Sequence, residues 1–465
     1  MDTIIQSYLE EAQNLFNKND MKNALSLYIK ILQINPEHYL AHYNIGNIFL
    51  HLGKYDEAIK YYLHAIHFNP TYVDSYTNIG LSYSNTGDNL QAIKYLNKGL
   101  SIEPSNSSAL NNLGNALRNI KKFKEAIASY EKAITFHATM KEAYNGLGAS
   151  YEDTGQFDKA IKYYSKAIEI DKNYAEAVLN LYPLLIQYKP HQAIQYTLDD
   201  TNYYIYEIIY SFIHKPYHTS QSLITKLTNT QLFFSSYEKQ KFGLNYLNFI
   251  STLLKYKPTS KDKDLPLIYH IGDSHSLSFA HHQIDYMKQK YTIKPLLIFG
   301  AKAFHLQDIQ SNKFKYYFEN YISNLKQNSY LLLSFGEIDC RVDEGIIPYH
   351  LKEGEEIKTI IYKTVNSYIL YTSKILKKCN IKFIYMTIPA PISLKEHPHN
   401  LLRLEVVELF NKILKDKVKE MNLNITDTYS LTINNNKESN LKYMCDDYHL
   451  GPKILEDLKL NFKED

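Results

Sequence analysis

The sequence predicts two folds in one chain. An all-helical superhelix of paired helices is followed by an α/β domain, a three-layer sandwich around a parallel sheet. Three observations predict this. A motif recurs with a period of 34 residues through the first part of the chain. From residue 265, short apolar strands alternate with helical segments, the pattern of a parallel sheet covered by helices. Polar clusters fall just after those strands, where such sheets place their chemistry.

The repeats come first. YDEAIKYYLHAIHFNP (55–70), NLQAIKYLNKGLSIEP (89–104), FKEAIASYEKAITFHA (123–138) and FDKAIKYYSKAIEIDK (157–172) align without gaps, and MKNALSLYIKILQINP (21–36) falls in register. Small residues recur where two helices must cross closely: Ala12, Gly46, Gly80, Gly114 and Gly148 on the first helix, and Ala24, Ala58, Ala92, Ala126 and Ala160 on the second. Tyr28, Tyr62, Tyr130 and Tyr164 fill the space between them, and Pro36, Pro70 and Pro104 end the second helix. Gly53, Gly87 and Gly155 fall at the turn between helices, where a left-handed backbone suits glycine.

This pattern resembles the tetratricopeptide (TPR) family. Five units run over 5–174, and 175–190 reads as a sixth first helix, so the array is expected over 5–190 with about five and a half repeats. The resemblance implies a binding surface for a protein or peptide partner. Asn44, Asn78 and Asn112 share one position in successive units, where Gly146 stands in the next. In the peptide-binding arrays it resembles, this position forms an asparagine ladder that holds an extended backbone. The plain alternative is a solvated helix residue in an Asn-rich chain.

Residues 191–258 keep helical apolar spacing but lose the repeat residues, and are expected to cap the array and dock the next domain. A polar, Pro-containing stretch (255–264) then marks a boundary, with the α/β domain over 265–463.

Strands are expected at 266–271, 295–299, 330–335 and 381–387. Gly272-Asp273-Ser274-His275 follows the first, Gly300 the second, and GEIDCR (336–341) the third; CDDYHL (445–450) carries Asp446-x-x-His449. Four clusters in this order resemble the SGNH/GDSL superfamily of esterases and acyltransferases, whose fold is flavodoxin-like. The resemblance implies Ser274 as nucleophile, His449 as its base and Asp446 as orienting carboxylate, with the N–H groups of Ser274 and Gly300 as oxyanion donors. GDSH with a terminal D-x-x-H-L looks closest to members acting on acylated glycans. The chemistry needs this set, because a serine hydroxyl is a poor nucleophile without an adjacent base. A helix is expected to start at Ser274 and lend its dipole to the oxyanion, with Gly272 permitting a sharp exit from the strand and His281 and His282 on the helix surface. An N-cap is the structural alternative for Ser274.

One departure stands out. The family's GxND block here reads GEID, with Ile338 in place of the donating Asn. Arg341 is one candidate replacement. Two backbone donors alone, or a weakened or dead hydrolase, are the others. Glu337, Asp339 and Arg341 read as a substrate-binding or loop-fixing ion network. The readings are thus a Ser-dependent esterase or O-acyltransferase, and a non-catalytic TPR adaptor whose degenerate domain only binds.

The totals narrow the rest. A net charge of +3 gives no argument for nucleic acid. Three Cys (Cys340, Cys379, Cys445) suit a reducing compartment rather than a disulfide framework. No cofactor, metal, signal peptide or membrane span is expected, and the cytoplasm is the expected location.

Overall fold

The computed structural model describes residues 2–189, 192, 201–215, 217–228, 237–256, 265–307, 312–392, 394, 396–446 and 449–462. The chain divides into two compact units, Met1–Ala177 and Val178–Asp465.

The first unit is a superhelix of five helix pairs. They are α1 (Asp2–Asn17) with α2 (Met21–Ile34), α3 (Tyr39–His51) with α4 (Tyr55–Phe68), α5 (Val73–Asn85) with α6 (Asn89–Ile102), α7 (Ser107–Asn119) with α8 (Phe123–Phe136), and α9 (Lys141–Asp153) with α10 (Phe157–Ile170). Each pair closes on the small residues read from the repeat. A Cβ on Gly46 would lie 2.5 Å from the Tyr62 ring, and one on Gly148 would lie 2.7 Å from Tyr164. Turns between helices hold a positive φ at Gly53, Gly87 and Gly155, and also at Asn19 and Lys121, which occupy the same position in the first and fourth units. The expected sixth first helix is α11 (Ala175–Tyr188), and the division between units falls inside it.

The second unit contains α12 (Thr201–His214), α13 (Tyr217–Thr228) and α14 (Tyr237–Leu253), then a six-stranded sheet. The strands are β1 (Leu267–Gly272), β2 (Gln283–Tyr286), β3 (Gln289–Leu297), β4 (Tyr330–Ser334), β5 (Lys382–Met386) and β6 (Ile425–Thr426), in the order β2-β3-β1-β4-β5-β6. Helices α15 (Ala303–Gln307), α16 (Lys313–Ser323), α17 (Ile346–Glu353), α18 (Ile357–Lys378), α19 (Asn400–Glu420) and α20 (Thr428–Thr432) intervene. One sheet face, with Ile268, Leu332 and Ile384, packs on the C-terminal Leu450, Ile454, Leu458 and Phe462. On the other, Tyr385 meets Tyr368 of α18, and its hydroxyl lies 2.7 Å from Thr372 Oγ1.

The sheet is mixed, a correction to the wholly parallel sheet expected. β2 and β3 pair antiparallel, while the other pairs run parallel. The hairpin was hidden because its two turn residues, Met287 and Lys288, both hold positive φ without the Gly or Asn that announces such a turn. β3 also starts earlier than expected, since its first half alternates between exposed and buried residues instead of forming an apolar run.

The described helices α12 and α14 pack with the sheet region. Ile205, Ile208, Ile209, Phe249, Ile250 and Leu253 share one buried cluster with Leu277, Ala280 and Leu297 of the sheet region. His281 Nε2 donates to the Phe212 carbonyl of α12, so this residue is tied to a helix rather than lying on the surface of one. The composition change at 255–264 falls largely outside the described residues.

Tyr130 yields a test. A Cβ on Gly146 would fall 2.4 Å from its Cε1 atom. Gly146→Asn, which restores the residue of the other units, should cost about 1–3 kcal/mol by overpacking, against a few tenths gained in helix propensity. Urea denaturation reads this, and equal or greater stability would contradict it.

Candidate active site

Ser274 sits at the carboxyl end of β1, the second residue after Gly272. A Cβ on Gly272 would lie 2.4 Å from the Ser334 carbonyl and hydroxyl, so glycine is required by the close approach of β4 rather than by a sharp exit. Asp273 caps the following turn: its Oδ1 accepts from the His275 N–H at 2.9 Å and faces His275 Nδ1 at 3.1 Å. The expected helix does not form. Ser274–Leu277 is a single 3-10 turn, because the chain swings at once into β2, with the His281 N–H bonded to the Ile293 carbonyl. Four residues carry no useful macrodipole, which corrects the dipole argument.

At the C-terminal end, Met444 and Leu450 form an antiparallel bridge. The Cys445 N–H donates to the His449 carbonyl at 2.9 Å, and its thiol donates to the same oxygen at 3.3 Å. This closed turn presents Asp446 and His449. Asp446 Oδ1 accepts the His449 N–H at 2.7 Å, and its oxygens lie 2.9 and 2.8 Å from Nδ1. His449 Nε2 lies 2.8 Å from Ser274 Oγ. Those distances are within reach of direct proton transfer. Ser274 is 8 % exposed and His449 7 %.

Burial holds the His449 pKa below the ordinary value of 6.5, against the Asp446 hydrogen bond, which raises it. The face of the imidazole is covered by Phe249, with centroids 3.7 Å apart and planes at 15°. Burial is the largest influence on this ring, and it favours the neutral form. The His275 ring stands 4.9 Å from His449.

The loop after β3 has one uncommitted donor. The N–H groups of Phe299, Ala301, Lys302, Ala303 and Phe304 go to Gln187 Oε1, the Ile298 carbonyl, His305 Nδ1, Asp339 Oδ2 and Asp339 Oδ1. Among the described residues the Gly300 N–H has no acceptor, and neither has that of Ser274. Gly300 holds φ +65°. Gly272 and Leu297 are in register, so Ser274 and Gly300 leave neighbouring strands at the same sheet edge.

The ion network fixes loops. Asp339 is 0 % exposed and spends both carboxylate oxygens on the Gly300 loop, so it is a loop-fixing group rather than a substrate contact. Burial pushes its pKa up to about 6, although the two N–H bonds pull it down. Arg341 donates from Nε to Glu337 at 2.9 Å, and its other nitrogens lie 2.8 Å from Glu337 and 3.4 Å from Glu344. Its guanidinium is therefore held by Glu337 and Glu344. Burial raises the Glu337 pKa, but the charges of Arg341 and His275 outweigh it and hold it low. Glu337 and His275 line a small pocket with Phe279, Met386, Ile388 and Leu450. Ile338 is buried. So is Cys340, whose thiol burial pushes well above the ordinary range.

In the first unit, Asn44, Asn78 and Asn112 are half-buried at equivalent positions. Asn78 is already committed. Its Nδ2 donates to Asn47 Oδ1 at 2.9 Å and lies 3.2 Å from the Tyr43 hydroxyl. Asn44 Oδ1 accepts from Asn47 Nδ2 and Asn112 Oδ1 from Asn111 Nδ2, each at 3.5 Å, so every rung has an intramolecular contact.

Comparison with known proteins bears on the first unit. A tetratricopeptide repeat family matches residues 39–72, 107–138 and 142–174, and a second tetratricopeptide repeat model matches 73–106. This part of the chain is a TPR array. Among solved structures, MamA is 24% identical, over 38% of this chain and 96% of that one, with TM-score 0.33. Pseudomonas aeruginosa pilF is 19% identical, over 44% and 97%, with TM-score 0.36. A tetratricopeptide repeat protein from Parabacteroides merdae is 15% identical, over 54% and 99%, with TM-score 0.42. No curated protein matches the chain. Among the described residues no helix is long and apolar enough to cross a membrane.

Phe249 escaped sequence reading, because a phenylalanine in an apolar helix looks like any core residue and nothing local ties it to position 449. The electrostatics give a signed expectation. The Asp446 carboxylate raises the His449 pKa, so Asp446→Asn should lower its titration midpoint. Histidine NMR reads this directly, and an unmoved or higher midpoint would contradict it.

Proposed function

We propose that the second unit is a Ser-dependent esterase or O-acyltransferase of SGNH/GDSL type, with the three-layer sandwich of that family. The TPR array holds a protein or peptide partner, with Asn44, Asn78 and Asn112 as its binding amides. Acylated glycans are the substrate class implied by the GDSH and D-x-x-H-L resemblance. The single observation carrying the proposal is the chain of hydrogen bonds from Asp446 through His449 to Ser274.

Neutral His449 Nε2 takes the Ser274 proton as Oγ bonds to the ester carbonyl carbon. The tetrahedral oxyanion is met by the N–H groups of Ser274 and Gly300. The carbon–oxygen bond to the alcohol then breaks, and Nε2 returns the proton to that oxygen. Water, or an acceptor hydroxyl in a transferase, attacks the acyl-enzyme with its proton passing to Nε2, and Ser274 recovers it. Asp446 keeps Nδ1 protonated and offsets the imidazolium charge. With Ile338 in the Asn position, a side-chain oxyanion donor is missing, which costs on the order of 3 kcal/mol in comparable sites. A slow enzyme is expected.

That substitution also supports the second reading, a non-catalytic adaptor. Turnover of p-nitrophenyl acetate separates the two. Ser274→Ala should lower kcat by at least about 10³-fold while moving the thermal midpoint by less than about 3 °C. Equal turnover in wild type and variant would leave the adaptor. The three free cysteines support a reducing compartment, and we place the protein in the cytoplasm.

A further inference from the structure

The two hydrogen bonds to His449 hold its ring at Nδ1 and Nε2. A ring held at two edge atoms can still tilt about the line joining them. Setting the plane needs a contact on the face, and α14 supplies it. Phe249 is 1 % exposed and stacks on the imidazole. It is itself held in the cluster with Ile208, Ile250, Leu253 and Leu277. Two further links bind these helices to the site region: the His281 bond to the Phe212 carbonyl, and the Gln187 side chain on the Phe299 N–H beside Gly300.

We infer that Phe249 is a positioning residue for His449: α14 sets the plane of the imidazole and keeps water off one of its faces. The inference rests on the serine-hydrolase reading of the site. It turns a helix without any sequence motif into part of the catalytic unit. The titratable groups acting on His449 are Asp446 on its own turn, His275 beside Ser274, and Glu337 after β4. Tyr246, also on α14, feels Asp273 and Arg341.

Three variants of the full chain test this, with far-UV circular dichroism as the check of folding. Phe249→Leu keeps the helix apolar and removes the flat ring. Its kcat for p-nitrophenyl acetate should fall about tenfold with KM within about twofold, a misaligned base costing rate rather than binding. The His449 NMR midpoint should rise toward 6.5 as water reaches the ring. Phe249→Tyr keeps the stack and should restore both values. Ile45→Val loosens a buried cluster of the first unit and should leave both unchanged. An unmoved midpoint in Phe249→Leu, or the same change in Ile45→Val, overturns the inference. Absence of serine-dependent turnover in the wild type would instead sink the esterase reading, and the NMR midpoint would still report whether Phe249 governs His449.

Discussion

A neutral imidazole held out of water is the constraint on which the second unit depends. His449 is bonded at Nδ1 by Asp446, bonded at Nε2 by Ser274, and covered by Phe249. These partners come from the C-terminal turn, the end of β1 and α14, separated by up to 200 residues of chain. An imidazole buried without them would lack partners for both ring nitrogens, at a cost of roughly 1–3 kcal/mol per unsatisfied group. The fold brings the three elements together by different means. Parallel pairing sets where β1 ends, the Cys445 turn sets where His449 points, and one apolar cluster seats α14.

The same logic governs the loops around the site. Asp339 is fully buried, and its two backbone donors make it a clamp on the segment that carries Gly300. Glu337 and Arg341 neutralise each other in one bidentate pair. Removing either partner from such a buried pair strands a charge, which is costly. These carboxylates are thus spent on geometry, while among the described residues the Ser274 and Gly300 N–H groups at the sheet edge have no acceptor.

What the sequence made legible follows from the range of the interactions concerned. The helix pairs were readable because each depends on residues within one repeat, such as Gly148 against Tyr164. The meeting of Ser274, Asp446 and His449 was readable from a resemblance carried by two short motifs, GDSH after β1 and D-x-x-H near the C-terminal end. Phe249 was not readable, since a stack depends on tertiary placement and any apolar helix could supply it. The β2–β3 hairpin was hidden by a turn that holds positive φ at Met287 and Lys288 against their steric preference. The short turn at Ser274 was misread as a helix start because Asp and Ser cap both kinds of structure. Asn78 looked like its two equivalents until Asn47 and Tyr43 claimed its amide.

The most direct test of the central claim is whether Ser274 is activated by His449. A fluorophosphonate reacts with an activated serine and spares an ordinary one. Incubation of the full chain with such a probe, followed by peptide mass spectrometry, should place a single adduct on Ser274, and His449→Ala should abolish it. An unlabelled Ser274, or labelling that survives loss of His449, would contradict the account.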